Sequence, residues 1–309
     1  MFDGIVPVWK EKGMTSHDVV FKMRKIFKMK KIGHTGTLDP EVDGILVVCL
    51  GQATKLVDIL MNGKKNYSGE ITVGVATTTE DAYGEVIREV EVQKPIPSSV
   101  IDTVMKSMEG IVIQVPPYYS AVKVKGKRLY EYARAGQEVE RPKRWVQINK
   151  FIRTSEPFYD SEQKIQKWKF EVECGKGTYV RTLAVDCCEK LGYPGHMSQL
   201  TRTASAGFNK KEAFTLEKLK YLDEISNLHK AVIPLEKAIT GLPRIDLTKE
   251  QFEEIRHGAV VAKDYFSQPI TEITALFFEN KLRAIYDQHP NKEDKLKPYK
   301  MFPREKVEK

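Results

Sequence analysis

The sequence has few of the features that would mark a secreted, metal-bound or membrane protein. Its four cysteines, Cys49, Cys174, Cys187 and Cys188, include no C-x-x-C pair, and its six histidines show no ligand spacing. That argues against structural zinc and a disulfide framework, and leaves the cysteines as small core residues. No apolar run approaches the roughly 18 residues of a membrane helix. The start, Met1-Phe2-Asp3-Gly4, lacks the basic and apolar regions of a signal peptide, so a cytoplasmic location is expected. Neither G-x-G-x-x-G nor G-x-x-x-x-G-K-[ST] occurs, which removes the common nucleotide cradles, and no internal repeat is present.

What the sequence does have is positive charge. Lys and Arg number 50 against 42 Asp and Glu, a net +8. Clustered cations gain counterion-release free energy on meeting phosphates, so a polyanionic partner is expected. From Lys22 to Lys31 six of ten residues are basic and none is acidic. Over 114–144, eight basic residues stand against three acidic ones, with Tyr118, Tyr119, Tyr130 and Tyr132 among them. Charge interleaved with aromatic rings is what single-stranded RNA contacts require.

Local patterns set the expected elements. Thr15-Ser16-His17-Asp18 is a capping box before a helix with Val19, Val20, Met23, Ile26 and Phe27 at helical spacing. Ile45 to Leu50 is a buried-strand run, followed by a short helix over 55–61. Ile71, Val73 and Val75 alternate as a strand, and Ser98 to Met108 form a helix entered through Pro95 and Pro97. Trp168, Phe170, Val172 and Cys174 alternate with charged residues as the clearest strand, and Thr178 is expected to cap a helix reaching Leu191. The segment 114–144 has little periodicity and is expected to be a mobile excursion that orders on its ligand. A helical pattern over 232–239 ends at Gly241-Leu242-Pro243, where a domain boundary is placed. Beyond it come a helix over 249–256 and a hairpin joined by Glu279-Asn280-Lys281, and the tail Arg304 to Lys309 is expected to fray.

The densest chemical signal is Gly33-His34-Thr35-Gly36-Thr37-Leu38-Asp39-Pro40, followed by Asp43-Gly44-Ile45-Leu46 and Gly51-Gln52-Ala53-Thr54-Lys55. Two glycines permit close backbone approach, Pro40 stiffens the chain after Asp39, and a strand just beyond anchors the loop. Such a loop can hold one carboxylate rigidly, although these residues alone fit an ordinary turn aspartate better.

This element resembles that of the TruB family of pseudouridine synthases. The resemblance continues in Lys65-Asn66-Tyr67, in Pro116-Pro117-Tyr118-Tyr119-Ser120-Ala121-Val122-Lys123 and in Tyr130-Glu131-Tyr132-Ala133-Arg134-Ala135-Gly136. It extends to Cys174-Gly175-Lys176-Gly177-Thr178-Tyr179-Val180-Arg181 and Leu200-Thr201-Arg202-Thr203, and more weakly to Gly258 and Leu296-Lys297-Pro298. The resemblance implies a catalytic domain over 1–240, with an RNA-gripping insertion at 114–144, and a PUA-like RNA-binding module over 241–309. The implied fold class is α/β (α+β): a large mixed, mostly antiparallel sheet with flanking helices, plus the small β-rich module.

The same resemblance implies isomerisation of uridine to pseudouridine at position 55 in the T-loop of tRNA, by a cytoplasmic monomer that needs no cofactor, metal or obligate protein partner. Asp39 would be the catalytic carboxylate, Arg181 its salt-bridge partner, and Tyr67 the ring that stacks on the base and removes the C5 proton. A planar guanidinium suits the first pairing because it fixes a carboxylate's orientation, whereas a phenol is a weak base near neutral pH. Tyr179 and Leu200 would line the uracil pocket, His34 would assist base flipping, and Lys123 and Arg202 would contact RNA. Lys55 is expected to support its local loop and is given no catalytic role. Thr78 stands where an acidic residue is frequent, and Thr201 where a second basic one is. Two rival readings share these features: a non-catalytic RNA-binding protein on the same scaffold, and the guide-RNA-dependent branch of the superfamily.

Overall fold

The computed structural model describes residues 2–303. The tail expected to fray, Arg304 to Lys309, lies outside the described residues, as does Met1. The centre is a ten-stranded mixed sheet whose main path runs, from one edge, Gly4–Lys10, Asp43–Leu50, Gly195–Ser205, Lys65–Val73, Ile165–Cys174, Arg144–Arg153 and Gly110–Gln114. All neighbours on that path are antiparallel except Asp43–Leu50 with Gly195–Ser205, where Thr201 pairs with Asp43 and Arg202 with Gly44.

The unbroken apolar run of Asp43–Leu50 reflects cover on both faces. Leu46, Val48 and Leu50 pack against Val19, Val20, Met23 and Ile26 of the helix Ser16–Ile26. Ile45, Val47 and Cys49 pack on the opposite side against Leu56, Ala275, Phe277 and Phe302. The capping box forms as expected, with Thr15 Oγ1 accepting from the Asp18 amide. Trp168, Phe170, Val172 and Cys174 face inward toward the helices Ser98–Ser107 and Val180–Lys190, while Lys169 and Glu171 are exposed.

Several elements differ from their expected form. The strand expected around Ile71 begins at Lys65 and ends at Val73; Gly74, at φ +112°, then diverts the chain into Val75–Thr77, which pairs with Val86–Glu89. Gly110–Gln114 is an unforeseen edge strand with Ile111 and Ile113 turned to solvent. Thr178 does not cap the helix Val180–Lys190: Tyr179 is its N-cap, and Thr178 Oγ1 donates back to the Gly175 carbonyl at 3.2 Å. Residues 232–239 hold no α-helix; 3-10 turns Leu228–Ala231 and Leu235–Ile239 flank Pro234, which cannot donate to a continuing helix. Residues 114–144 contain a minimal hairpin, Lys123–Val124 with Lys127–Arg128, and the six-residue helix Leu129–Arg134, with Val122 and Leu129 buried. Elements that short leave no periodicity to detect.

The C-terminal sheet has five strands in the order Arg244–Asp246, Thr274–Phe278, Lys281–Gln288, Lys295–Met301 and Val261–Ala262. Its hairpin turns on Glu279 and Asn280, both at positive φ, as a two-residue loop requires. One of its faces has a core of its own around Ile255, Leu276, Tyr286 and Leu296; the other shares the core of the main sheet. No helix among the described residues is long and apolar enough to cross a membrane.

Candidate active site

The loop that carries Asp39 is fastened from several directions. Ser16, buried at the start of its helix, donates from Oγ to the Leu38 carbonyl at 3.2 Å and accepts the Leu38 amide at 2.8 Å. Lys10, fully buried, donates from Nζ to the carbonyls of Pro40 at 2.9 Å, Met14 at 2.6 Å and Glu11 at 3.0 Å. The Gly13 amide also donates to the Pro40 carbonyl, and the Asp39 carbonyl accepts from Val42. With its backbone neighbours held, Asp39 leaves only its carboxylate partly open to solvent.

That carboxylate meets Arg181, in the first turn of the helix Val180–Lys190. Nε lies 3.0 Å from Asp39 Oδ2, with side-chain exposures of 6% for Arg181 and 43% for Asp39. The other guanidinium nitrogens are fixed as well: Nη1 donates to the Thr79 carbonyl at 2.8 Å and Nη2 to the Tyr119 carbonyl at 2.9 Å. A buried guanidinium with all three edges engaged cannot swing away, so the pair presents one carboxylate oxygen in a fixed direction.

Tyr67 stands in the middle of the sheet, opposite Val172 on one side and Arg202 on the other. Burial pushes its phenol above the ordinary value, and the nearby Arg202 charge offsets part of that rise. Leu200, one turn of the pleat away on the Arg202 strand, lines a small cleft with Asp39, Val42, Asp81 and Tyr83. Tyr179 is clamped through its backbone: its amide donates to Gln114 Oε1 at 2.9 Å and its carbonyl accepts from Gln114 Nε2 at 3.1 Å. His34 accepts the Gly36 amide through Nδ1 at 3.3 Å. Burial, then the nearby Arg202 charge, hold its pKa below the ordinary value, which keeps the ring neutral near pH 7.

Arg202 does not sit where a substrate-contacting residue would. It is 1% exposed; Nε donates to the Ile45 carbonyl at 2.7 Å and Nη2 to the Gly36 carbonyl at 3.0 Å. The reason is the parallel pairing of its strand with Gly44, which turns the guanidinium under the Asp39 loop. Gly44, at φ +118°, has the Arg202 backbone where a Cβ would stand, so this approach is open only to glycine. Thr201 hydrogen-bonds Asp43 at 2.5 Å and closes the same junction. Lys123 is exposed on the insertion hairpin. Lys55, expected to brace its own loop, instead donates to the Met301 carbonyl at 2.7 Å and ties the C-terminal sheet to the main one.

The sequence reasoning missed Lys10, Ser16 and Gln114. A lysine within the apolar strand Gly4–Lys10 was the available signal for the first; nothing local distinguishes the other two. Lys65 is also buried, with Nζ on the Met61 and Gly63 carbonyls at 2.8 Å, and its pKa is lowered to about 8 by burial and then by Arg202. Among the described residues no group of three or more His, Cys, Asp or Glu is placed to hold a metal ion.

Comparison with known proteins gives a consistent picture. The family model described as TruB family pseudouridylate synthase (N terminal domain) matches residues 24–180, and tRNA pseudouridylate synthase B C-terminal domain matches 181–240. A Staphylococcus haemolyticus protein named tRNA pseudouridine synthase B is 50% identical over 307 residues, 98% of this chain and 100% of that one. One of the same name from Halalkalibacterium halodurans is 48% identical over 97% of each chain. Among solved structures, a chain of a Cbf5-Nop10-Gar1 complex aligns with a TM-score of 0.72 at 26% identity, covering 97% of this chain and 85% of that one.

Proposed function

The chain belongs to the TruB family of pseudouridine synthases, and on that premise we propose that it isomerises the uridine at position 55 in the T-loop of tRNA. The observation that carries the reading is the fixed pair of Asp39 and Arg181, 3.0 Å apart, with the carboxylate open to a cleft edged by Leu200. In the proposed reaction the N1–C1′ bond breaks, the uracil turns, C5 bonds to C1′, the C5 proton leaves and N1 regains a proton. Asp39 acts on the uridine. Arg181 aims it.

Tyr67 serves first as the surface on which the base stacks. Its raised pKa keeps the phenol protonated near neutral pH, so removal of the C5 proton by Tyr67 depends on the nearby charge of Arg202 to stabilise the phenolate. Tyr179 and Leu200 replace the stacking that a flipped base loses, and neutral His34 is available as a hydrogen-bonding partner near the vacated position. Lys123 and its neighbours on the insertion 114–144 meet the phosphates of the T-arm, while residues 241–309 act as a PUA-like RNA-binding module beyond the catalytic domain, 1–240. The protein works as a cytoplasmic monomer. Near-full-length identity of about half to relatives named for tRNA favours this over a guide-RNA-dependent role.

The test is release of tritium from C5-labelled uridine in a bare tRNA transcript by the purified chain. Wild-type protein is expected to turn over, and Asp39→Asn, nearly isosteric, to bind tRNA with similar affinity and not turn over. Turnover by Asp39→Asn above background would remove Asp39 from the chemistry; modification elsewhere in the transcript would overturn the T-loop assignment.

A further inference from the structure

The function proposed above absorbs the insertion and the C-terminal sheet but not the basic run 22–31. All six of its cations, Lys22, Arg24, Lys25, Lys28, Lys30 and Lys31, are exposed. Among the described residues only Lys28 meets a carboxylate, Asp223 at 3.5 Å. Arg24 and Lys25 lie in the last turn of the helix Ser16–Ile26, where they complement its dipole. Capping one eleven-residue helix does not call for six cations. The apolar face of that helix is already packed against the sheet, so its charges do not support the fold.

Their position ties them to the site. Ser16, at the start of this helix, holds Leu38 beside Asp39, whereas Tyr119, at the root of the insertion, holds Arg181. The basic helix and the insertion thus reach the catalytic pair through its two different partners. At the far end of the basic run, the Lys31 carbonyl accepts the Gly51 amide at 2.9 Å. Lys55, in the turn Gly51–Leu56, is bonded to Met301, at the end of the strand that carries Lys295, Lys297 and Lys300. A helix of eleven residues spans about 16 Å, so the basic run stands at the end of the helix away from the catalytic loop, and its last residue is tied to the turn that meets the C-terminal sheet.

We propose that the exposed face of Ser16–Ile26 and the turn after it form a second RNA-contact surface, one that holds backbone phosphates of the tRNA body outside the T-arm. It rests on tRNA being the substrate. Exposed cations of which only Lys28 has a carboxylate partner, with no exposed aromatic beyond Phe21, suit backbone binding without base readout. The surface would let the enzyme distinguish a whole folded tRNA from its isolated arm.

The experiment compares a full-length tRNA transcript with an isolated T-arm hairpin, for wild type and for the variant Lys22→Gln, Lys25→Gln, Lys30→Gln, Lys31→Gln. The variant should bind full-length tRNA at least about tenfold more weakly at moderate salt, with its log–log salt slope reduced by up to about 3. Its affinity for the hairpin, and its turnover of that hairpin, should equal wild type. Equal weakening toward both RNAs, or toward neither, would overturn the proposal; so would unchanged tRNA binding with loss of binding to anionic phospholipid vesicles. Wild-type turnover of the hairpin tests the functional reading separately, because the basic face is judged on binding alone.

Discussion

Arg202 and Tyr67 stand opposite each other in neighbouring antiparallel strands, and the guanidinium charge of one lowers the phenol pKa of the other against the rise that burial imposes. The same guanidinium holds the carbonyls of Ile45 and Gly36. One buried side chain therefore connects the strand of Tyr67 to the loop of Asp39, and any change at Arg202 moves both.

Lysine at this position has a single nitrogen and cannot hold both carbonyls in the guanidinium's geometry. Arg202→Lys is expected to lower kcat about 100-fold or more with little change in KM for tRNA, and to cost roughly 2–4 kcal/mol of stability through unsatisfied buried groups. Steady-state tritium release and denaturant unfolding measure the two effects. A raised KM with normal kcat would instead return Arg202 to the role of a phosphate contact.

Arg181→Lys loses the same kind of geometry. An ammonium cannot meet Asp39, Thr79 and Tyr119 at once, so turnover should fall by at least two orders of magnitude while tRNA affinity, measured by filter binding, stays close to wild type. Wild-type rates in this variant would show that the pair is not coupled in the reaction.

Asp186, on the helix of Arg181, has its pKa raised to about 6 by burial, then by the carboxylates of Glu80 and Glu189, against a smaller opposing effect of Lys190. The folded state therefore holds this proton more tightly than the unfolded state, and stability is lost as pH rises from about 4 to about 6. Asp186→Asn removes that loss. The variant should exceed wild type in stability by about 1–3 kcal/mol at pH 7.5 and by little at pH 4, read from urea unfolding at both values. An advantage independent of pH would mean the carboxylate titrates normally.

The insertion should act on a different part of the RNA from the basic helix. Neutralising Lys123, Lys125, Lys127 and Arg128 is expected to weaken binding of the isolated T-arm hairpin as well as whole tRNA, and to flatten the salt slope by about 0.7 to 0.9 for each phosphate left without its cation. Chemistry at saturating RNA should suffer much less. An unchanged hairpin affinity would take the insertion out of the T-arm footprint.

Where a residue's surroundings are supplied by its near neighbours in the chain, the sequence by itself determined the outcome. The capping box at Thr15 and the turn at Glu279-Asn280 are closed by contacts a few residues long, and the alternation from Trp168 to Cys174 marks its buried face along the chain itself, so these patterns are legible without the fold. The loop around Asp39 was legible because its glycines and proline state its own stiffness. What only the tertiary structure decided lies in long-range closure. Arg202 reaches Gly36 across 166 positions and Lys10 reaches Pro40 across 30, and no local pattern separates a cation bound for the interior from one bound for solvent. The face of Thr274–Phe278 that meets the main sheet was equally hidden, since Leu276 and Phe277 are both apolar and only the docking of one sheet on the other assigns them to different cores. Burial of a charged side chain is fixed by which distant carbonyls satisfy it, and those are chosen by strand order.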